Sequence, residues 1–102
     1  MYTPFTKRTI AIIQQIPRGK VTSFGEIAQR AGNARGARQV SRLLHSLGSK
    51  LDLPWQRIVK KDGSLPLHDP KGQALQRTLL EEEGVGFLDN GKVDLADHSW
   101  NR

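Results

Sequence analysis

Apolar residues recur at helical spacing in four segments of the chain, and this periodicity predicts four amphipathic helices. In the first segment Phe5, Ile12 and Ile16 fall on one helical face. Thr3 and Pro4 stand before this face and have the residue types of a helix cap and a first helical position. A glycine or a proline follows each segment closely and gives it an end. The predicted helices cover residues 4–15, 24–31, 35–47 and 72–82.

The second and third predicted helices are separated by a tight turn at Gly32, a pattern typical of a helix-turn-helix motif. Ser23 and Glu26 have the spacing of a capping box at the start of the pair. Arginines on the polar face of the third helix favour DNA as the partner of this motif. A generic helical hairpin is the alternative. The positions of the third helix that are expected to face the core are Val40, Leu43, Leu44 and Leu47.

The remaining segments predict short extended elements. Residues 56–59 have the pattern of a buried strand, and residues 85–88 and 93–95 flank a turn sequence that predicts a hairpin or a tail. The fold class is therefore mainly α (α+β), in one domain that spans residues 1–102. The segment 89–102 is expected to be less ordered than the rest.

Charge is distributed unevenly along the chain, whose formal net charge is +6. Residues 1–50 contain nine lysines and arginines against one acid, whereas residues 51–102 contain seven against nine acids. A basic half of this kind indicates a surface that faces a polyanion. An alkaline domain without a nucleic-acid partner remains the alternative on charge alone.

The chain contains no cysteine, which excludes disulfides, thiolate metal ligands and a thiol nucleophile within it. No apolar run approaches the roughly 20 residues that a membrane span needs, and the N-terminal residues lack the layout of a signal peptide. We therefore expect a cytoplasmic protein that associates with the nucleoid when bound to DNA, with no membrane partner. No metal ion and no cofactor are expected.

Three motifs resemble one known family. Residues 19–28, then Gly32-Asn33 with residues 37–40, then residues 54–59 resemble the C-terminal DNA-binding domain of the O6-alkylguanine-DNA alkyltransferases. The motifs occur in the order and at the spacing of that family, and the resemblance runs from about residue 3 to residue 88. It implies a winged-helix-like helix-turn-helix domain with short strands.

One departure from the family pattern changes the implied function. Where the alkyltransferases have Pro-Cys-His-Arg, this chain has Trp55 at the cysteine position and Gln56 at the histidine position. The chain therefore resembles the alkyltransferase-like proteins, the non-catalytic branch of the family. That resemblance implies a monomer that binds O6-alkylguanine in double-stranded DNA from the minor groove and flips the nucleotide. It also implies that the lesion passes to nucleotide excision repair proteins.

The resemblance also implies roles for individual residues. Arg38 matches the arginine that enters the base stack in place of the flipped nucleotide; a phosphate contact from the helix surface is the alternative. Phe24 matches a tyrosine that helps to rotate the 3′ phosphate, and a core aromatic residue is the alternative. No catalytic residue is expected. The DNA- and lesion-binding residues are Phe24, Arg35, Ala37, Arg38, Pro54, Trp55, Gln56, Arg57 and His68.

The residues around the motif of Trp55 carry open alternatives. The indole of Trp55 either lines an accessible pocket for the flipped base or fills the space that the missing active site leaves. His68 is the nearest counterpart of the family's pocket lid, and a solvent-exposed loop histidine is the alternative. Arg57 is expected to hold the strand and loop by hydrogen bonds. Glu83 resembles the acidic partner of the missing histidine; a solvated acid at a helix end is equally compatible with the sequence.

Two rival functions follow from the same residues. A helix-turn-helix transcription regulator would bind one undamaged site, commonly as a dimer, and would leave the stretch around Trp55 unexplained. An enzyme acting on alkylated DNA would need a soft nucleophile or a metal cluster, and the sequence contains neither.

Overall fold

The computed structural model describes residues 2–100 and is mainly helical, as the sequence predicts. Five α-helices and one short parallel sheet make up the described part of the chain. A single turn of 3₁₀-helix, Trp55–Arg57, precedes the second strand. In chain order the helices and strands are α1 (Pro4–Gln15), β1 (Thr22–Ser23), α2 (Phe24–Arg30), α3 (Ala37–Leu47), β2 (Ile58–Val59), α4 (Pro70–Glu82) and α5 (Leu95–His98).

Side-chain caps explain where three of the helices begin. The Thr3 hydroxyl accepts a hydrogen bond from the Thr6 amide at 3.1 Å, and the Ser23 hydroxyl accepts from the Glu26 amide at 3.1 Å. Asp69 caps α4 in the same way, and its carboxylate accepts from a backbone amide in the first turn. The prediction that α4 begins at residue 72 was therefore wrong by two residues, because Pro70 occupies the first helical position, where its missing N–H costs nothing.

The core forms where α1, α2 and α3 meet. Ile13, Ile27 and Val40, one from each helix, are completely buried there. A second cluster of buried residues lies between the sheet, α4 and residues 85–93, which follow α4. The strands join the two clusters, since Thr22 pairs with Ile58 in a parallel register. The second cluster consists of Val21, Val59, Leu80, Val85 and Val93.

The turn between α2 and α3 packs closely on α1, and Gly36 permits this packing. A β-carbon at Gly36 would lie 2.9 Å from the Phe5 ring, so no larger residue fits without movement. The backbone turns at Asn33, which accepts the Gly36 amide at 2.9 Å. This turn delays the start of α3 to Ala37, two residues after its predicted start.

Two predictions of extended structure need correction. The predicted strand over 56–59 is extended only at Ile58–Val59, because Gln56 and Arg57 belong to the 3₁₀ turn that starts after Pro54. The predicted hairpin is reduced to one antiparallel bridge between Phe87 and Val93. Leu95, predicted as extended, begins α5 instead.

The C-terminal segment packs against α2 and β1. The Val21 amide donates to the His98 carbonyl and the Trp100 amide donates to the Val21 carbonyl, both at 2.8 Å. Arg30 lies over the Trp100 ring at 4.1 Å from its centroid. Among residues 2–100 there is no helix with the length and apolar character that crossing a membrane requires.

Candidate functional site

A pocket of about 750 Å³ lies between α3, the segment that contains the 3₁₀ turn, and α4. Phe24 reaches it from the start of α2, and Trp55 is one of its walls. Because the pocket is open beside the indole, Trp55 does not fill the space next to the turn. The complete lining is Phe24, Ser41, Leu44, His45, Gly48, Ser49, Asp52, Leu53, Pro54, Trp55, Gln56, Ile58, Pro66, Leu67, Gln76 and Leu79.

Backbone and side-chain hydrogen bonds fix the turn that carries Trp55. The Trp55 amide donates to the Leu53 carbonyl at 2.7 Å. From α4, the buried amide of Gln76 donates to the carbonyls of Gln56 and Ile58, at 3.1 and 3.0 Å. These bonds tie the middle of the turn and the residue that follows it to one helix, so α4 helps to position the turn that carries the indole.

Behind the turn, Glu83 is the centre of a buried polar network. Its carboxylate accepts from the Arg57 guanidinium at 3.0 and 3.2 Å and from the Gln56 amide at 2.8 Å. It also accepts from the backbone amide of Gly19 at 2.9 Å. Gly19 has a φ of 85°, a conformation that glycine adopts without steric cost. Glu83 is therefore a structural acid and not the solvated helix end that the sequence left open.

Arg57 and Glu83 form a largely buried ion pair. Their side chains are only 17% and 4% exposed, and Arg57 also donates to the Ile16 carbonyl at 2.8 Å. Burial alone raises the pKa of the Glu83 carboxyl, but hydrogen bonds from Arg57, from a backbone amide and from Gln56 outweigh it. The pKa of Glu83 consequently lies below its ordinary value of 4.5. The carboxylate stays ionised and holds the segment after Trp55 against α1.

The helix-turn-helix surface lies beside this pocket. Arg35 and Arg38 are exposed at the turn before α3 and in its first helical turn, and Ala37, between them, is partly buried. Within the described chain, Arg38 makes no ion pair and no side-chain hydrogen bond. Its guanidinium can therefore reach a ligand without breaking an intramolecular contact.

The structure brings only part of the predicted site together in the pocket. Phe24, Pro54, Trp55 and Gln56 line it, whereas Arg57 lies behind it on Glu83. The predicted residues Arg35, Ala37, Arg38 and His68 are outside the lining. Residues 66 and 67, which precede His68, do contribute to the wall.

Several lining residues were missed by sequence reasoning. Ser41 and His45 follow Arg38 by three and seven positions, so the helical period of α3 could have placed them on one face. Leu79 is one of several apolar residues in the fourth predicted helix, and nothing in the sequence distinguishes it from the others as a pocket residue. Asp52 has no pattern that could have identified it, since its placement depends on the irregular backbone after α3.

Together, the fold and the site define a small helix-turn-helix domain in which an exposed arginine face borders a pocket walled by tryptophan. Residues 4–85 match the family model described as "6-O-methylguanine DNA methyltransferase, DNA binding domain". The chain belongs to this family.

Several known proteins align with nearly the whole length of this chain. A "DNA base-flipping protein" from Escherichia coli strain K12 is 40% identical over 97 residues, which are 95% of this chain and 74% of that protein. "Alkyltransferase-like protein 1" from Schizosaccharomyces pombe is 33% identical over 101 residues, covering 94% of each. The crystal structure of S. pombe Atl1 with damaged DNA containing O6-carboxymethylguanine superposes with a TM-score of 0.83 at 30% identity, covering 100% of both chains. The prediction of an alkyltransferase-like domain is thus confirmed.

Proposed function

We propose that this protein recognises O6-alkylguanine in double-stranded DNA, flips the nucleotide into the pocket beside Trp55, and does not transfer the alkyl group. The observation that carries this proposal is the open pocket at the position where the family motif has its nucleophile. An indole face offers a large apolar surface for a purine and for the alkyl group. The names of the E. coli and S. pombe relatives support base flipping as the mode of binding.

Arg38 is the residue proposed to compensate for the cost of flipping. Extruding a nucleotide costs a few kcal/mol of stacking and pairing. A planar guanidinium that enters the duplex recovers part of this energy by stacking on the neighbouring bases. Arg38 is suited to this role because it is exposed in the first turn of α3, with Ala37 beside it to allow close approach to the minor groove.

Phe24 and Arg35 complete the proposed DNA contacts. Phe24 is partly buried and lines the pocket, so it can press on the backbone of the flipped nucleotide while its other face packs on the core. Arg35 is exposed beside Arg38 and can contact phosphate. His68 would act as a cationic or aromatic lid, which requires its loop to move, since the side chain is exposed outside the pocket lining.

The absence of alkyl transfer follows from the chemistry of the residues at the pocket. The sequence contains no cysteine, and Trp55 has no nucleophilic atom. Gln56 cannot act as a base, and its amide is already engaged by the Glu83 carboxylate at 2.8 Å. A bound lesion would remain intact.

A bound but unrepaired lesion needs a further step. We propose that the protein acts as a DNA-bound monomer that marks the lesion for nucleotide excision repair proteins. Its basic N-terminal half would hold it on DNA in the cell.

The proposal is tested by titrating the protein with duplexes that differ only in one base, O6-methylguanine or guanine. We expect tighter binding of the lesion duplex. A fluorescent base analogue beside the lesion should report unstacking in the same titration. Equal affinity for the two duplexes would contradict lesion recognition, and a strong preference for one undamaged sequence would favour a transcription regulator instead.

A further inference from the structure

The walls of the pocket differ in chemistry. On the side of α4 and the loop before it, the lining consists of the apolar residues Pro66, Leu67 and Leu79 and the buried amide of Gln76. On the side of α3 and the segment after it, the lining contains hydroxyl groups, His45 and the carboxylate of Asp52. No lysine or arginine of the described chain lines the pocket, although the protein carries a net charge of +6.

Asp52 is held in place by an unusual backbone. Its φ of 52° makes it the only non-glycine residue in the left-handed region among residues 2–100. Aspartate and asparagine tolerate this region better than other side chains do. The Asp52 amide donates to the Ser49 carbonyl at 3.3 Å, and the Leu53 amide donates to the Gly48 carbonyl at 2.8 Å. The turn therefore fixes the backbone of Asp52 at the edge of the pocket, and its side chain is exposed there.

The end of α3 adds to the negative potential of this wall. Gly48 and Ser49, which follow the last residue of α3, line the pocket beside Asp52. The C-terminus of a helix carries a partial negative charge. His45 is the only other ionisable group in the lining besides Asp52. A negatively charged group of a ligand is therefore repelled by the wall that contains Asp52. It also loses hydration beside the apolar residues of the opposite wall.

From this arrangement we infer that Asp52 is a specificity-determining residue that disfavours O6-alkyl groups carrying a negative charge. The inference rests on the proposed function and adds the class of adduct that the pocket accepts. Neutral adducts, whose alkyl group can pack on the apolar wall, bind well. Carboxymethyl adducts, of the kind present in the S. pombe Atl1 structure, bind to this protein more weakly than neutral adducts do.

The test compares two adducts of nearly equal size and shape in the same duplex, O6-carboxymethylguanine and its uncharged amide, O6-carbamoylmethylguanine. The wild-type protein should bind the amide about tenfold more tightly, the effect expected of two unit charges several ångströms apart near a protein surface. The preference should shrink as salt is added, since salt screens exposed charges.

Asp52→Asn is the decisive variant, because asparagine keeps the left-handed backbone and removes the charge. The ratio of the two affinities should fall from about tenfold to about twofold, and the remainder comes from the end of α3 and from lost hydration. Using the ratio cancels the general gain in DNA affinity that follows from removing any acid. Asp89→Asn is the matched control, since Asp89 is exposed in a turn outside the pocket, and it should leave the ratio at its wild-type value.

The outcomes separate the inference from the function on which it rests. If both adducts bind more tightly than guanine but equally well, the charge selectivity is wrong and lesion recognition stands. An undiminished tenfold preference in Asp52→Asn overturns the role of Asp52. If neither adduct binds more tightly than guanine, both the proposed function and this inference fail.

Discussion

The two faces of the Trp55–Arg57 turn are built differently, although three consecutive residues supply both. In front, Trp55 borders an open pocket of about 750 Å³. Behind, Gln56 and Arg57 are bonded to a Glu83 side chain that is only 4% exposed. The back has its polar atoms paired within the protein, whereas the front leaves its surface available to a ligand. The comparison teaches that hydrogen bonds behind the turn hold it in place while the surface in front of it stays accessible.

The largest expected effect is on the free energy of unfolding, and it comes from breaking the Arg57–Glu83 ion pair behind the turn. Arg57→Met removes the partner of a buried carboxylate, which should lower the free energy of unfolding by about 3 kcal/mol. Urea unfolding followed by circular dichroism measures this change. Lys92→Met is the control, because the Lys92–Asp62 pair is 41% and 56% exposed and should contribute less than about 1 kcal/mol. A loss no larger than that of the control would mean that the network does not hold the turn.

The next effect comes from the front and concerns binding. Arg38→Ala should reduce affinity for an O6-methylguanine duplex by about 30-fold, equivalent to about 2 kcal/mol of lost stacking, with unchanged unfolding. Fluorescence anisotropy of a labelled duplex provides the measurement. Arg42→Ala removes the same charge from the same helix one turn later, so it controls for general electrostatic attraction. Similar losses in the two variants would assign Arg38 to phosphate contacts alone.

A smaller effect on the free energy of unfolding should appear at acid pH, and it comes from Glu83 behind the turn. Because the folded-state pKa of Glu83 lies below 4.5, its stabilising contribution is fully present above about pH 4.5 and is lost as the pH falls through the folded value. In Glu83→Gln this contribution is absent at every pH. The stability advantage of the wild type over this variant should therefore shrink below about pH 4.5 in parallel urea titrations. A constant difference would show that the charge of Glu83 contributes nothing.

The back was harder to predict from the sequence than the helices were. Periodicity and capping residues located α1 and α2 almost to the residue, since those signals are local. Gln56 and Arg57 were included in the predicted strand because they directly precede Ile58 and Val59, an apolar pair with the pattern of a short buried strand. What turns them is a carboxylate 26 residues or more along the chain, and no local pattern contains that information.

The site divides along the same line. The motif around Trp55 was recognisable because four residues stand together in the sequence. The opposite walls, with Asp52 on one side and Leu79 on the other, come from separate elements that only the packing brings together. His68 was expected at the pocket as part of a lid, and the structure places its two preceding residues there instead.

The smallest expected effect is on alkyl transfer, where we expect none in a variant that places a thiol only in front of the turn. Trp55→Cys puts a thiol beside the pocket, but a thiol becomes a good nucleophile only when a neighbouring group favours the thiolate. The adjacent Gln56 cannot accept the proton, and the Glu83 carboxylate behind it is occupied by three hydrogen-bond donors. We expect no transfer of the methyl group from an O6-methylguanine duplex to the protein, measured by intact-protein mass spectrometry after prolonged incubation. A gain of one methyl group in mass would show that the residues behind the turn already favour the thiolate. In that case Trp55 alone would prevent methyl transfer.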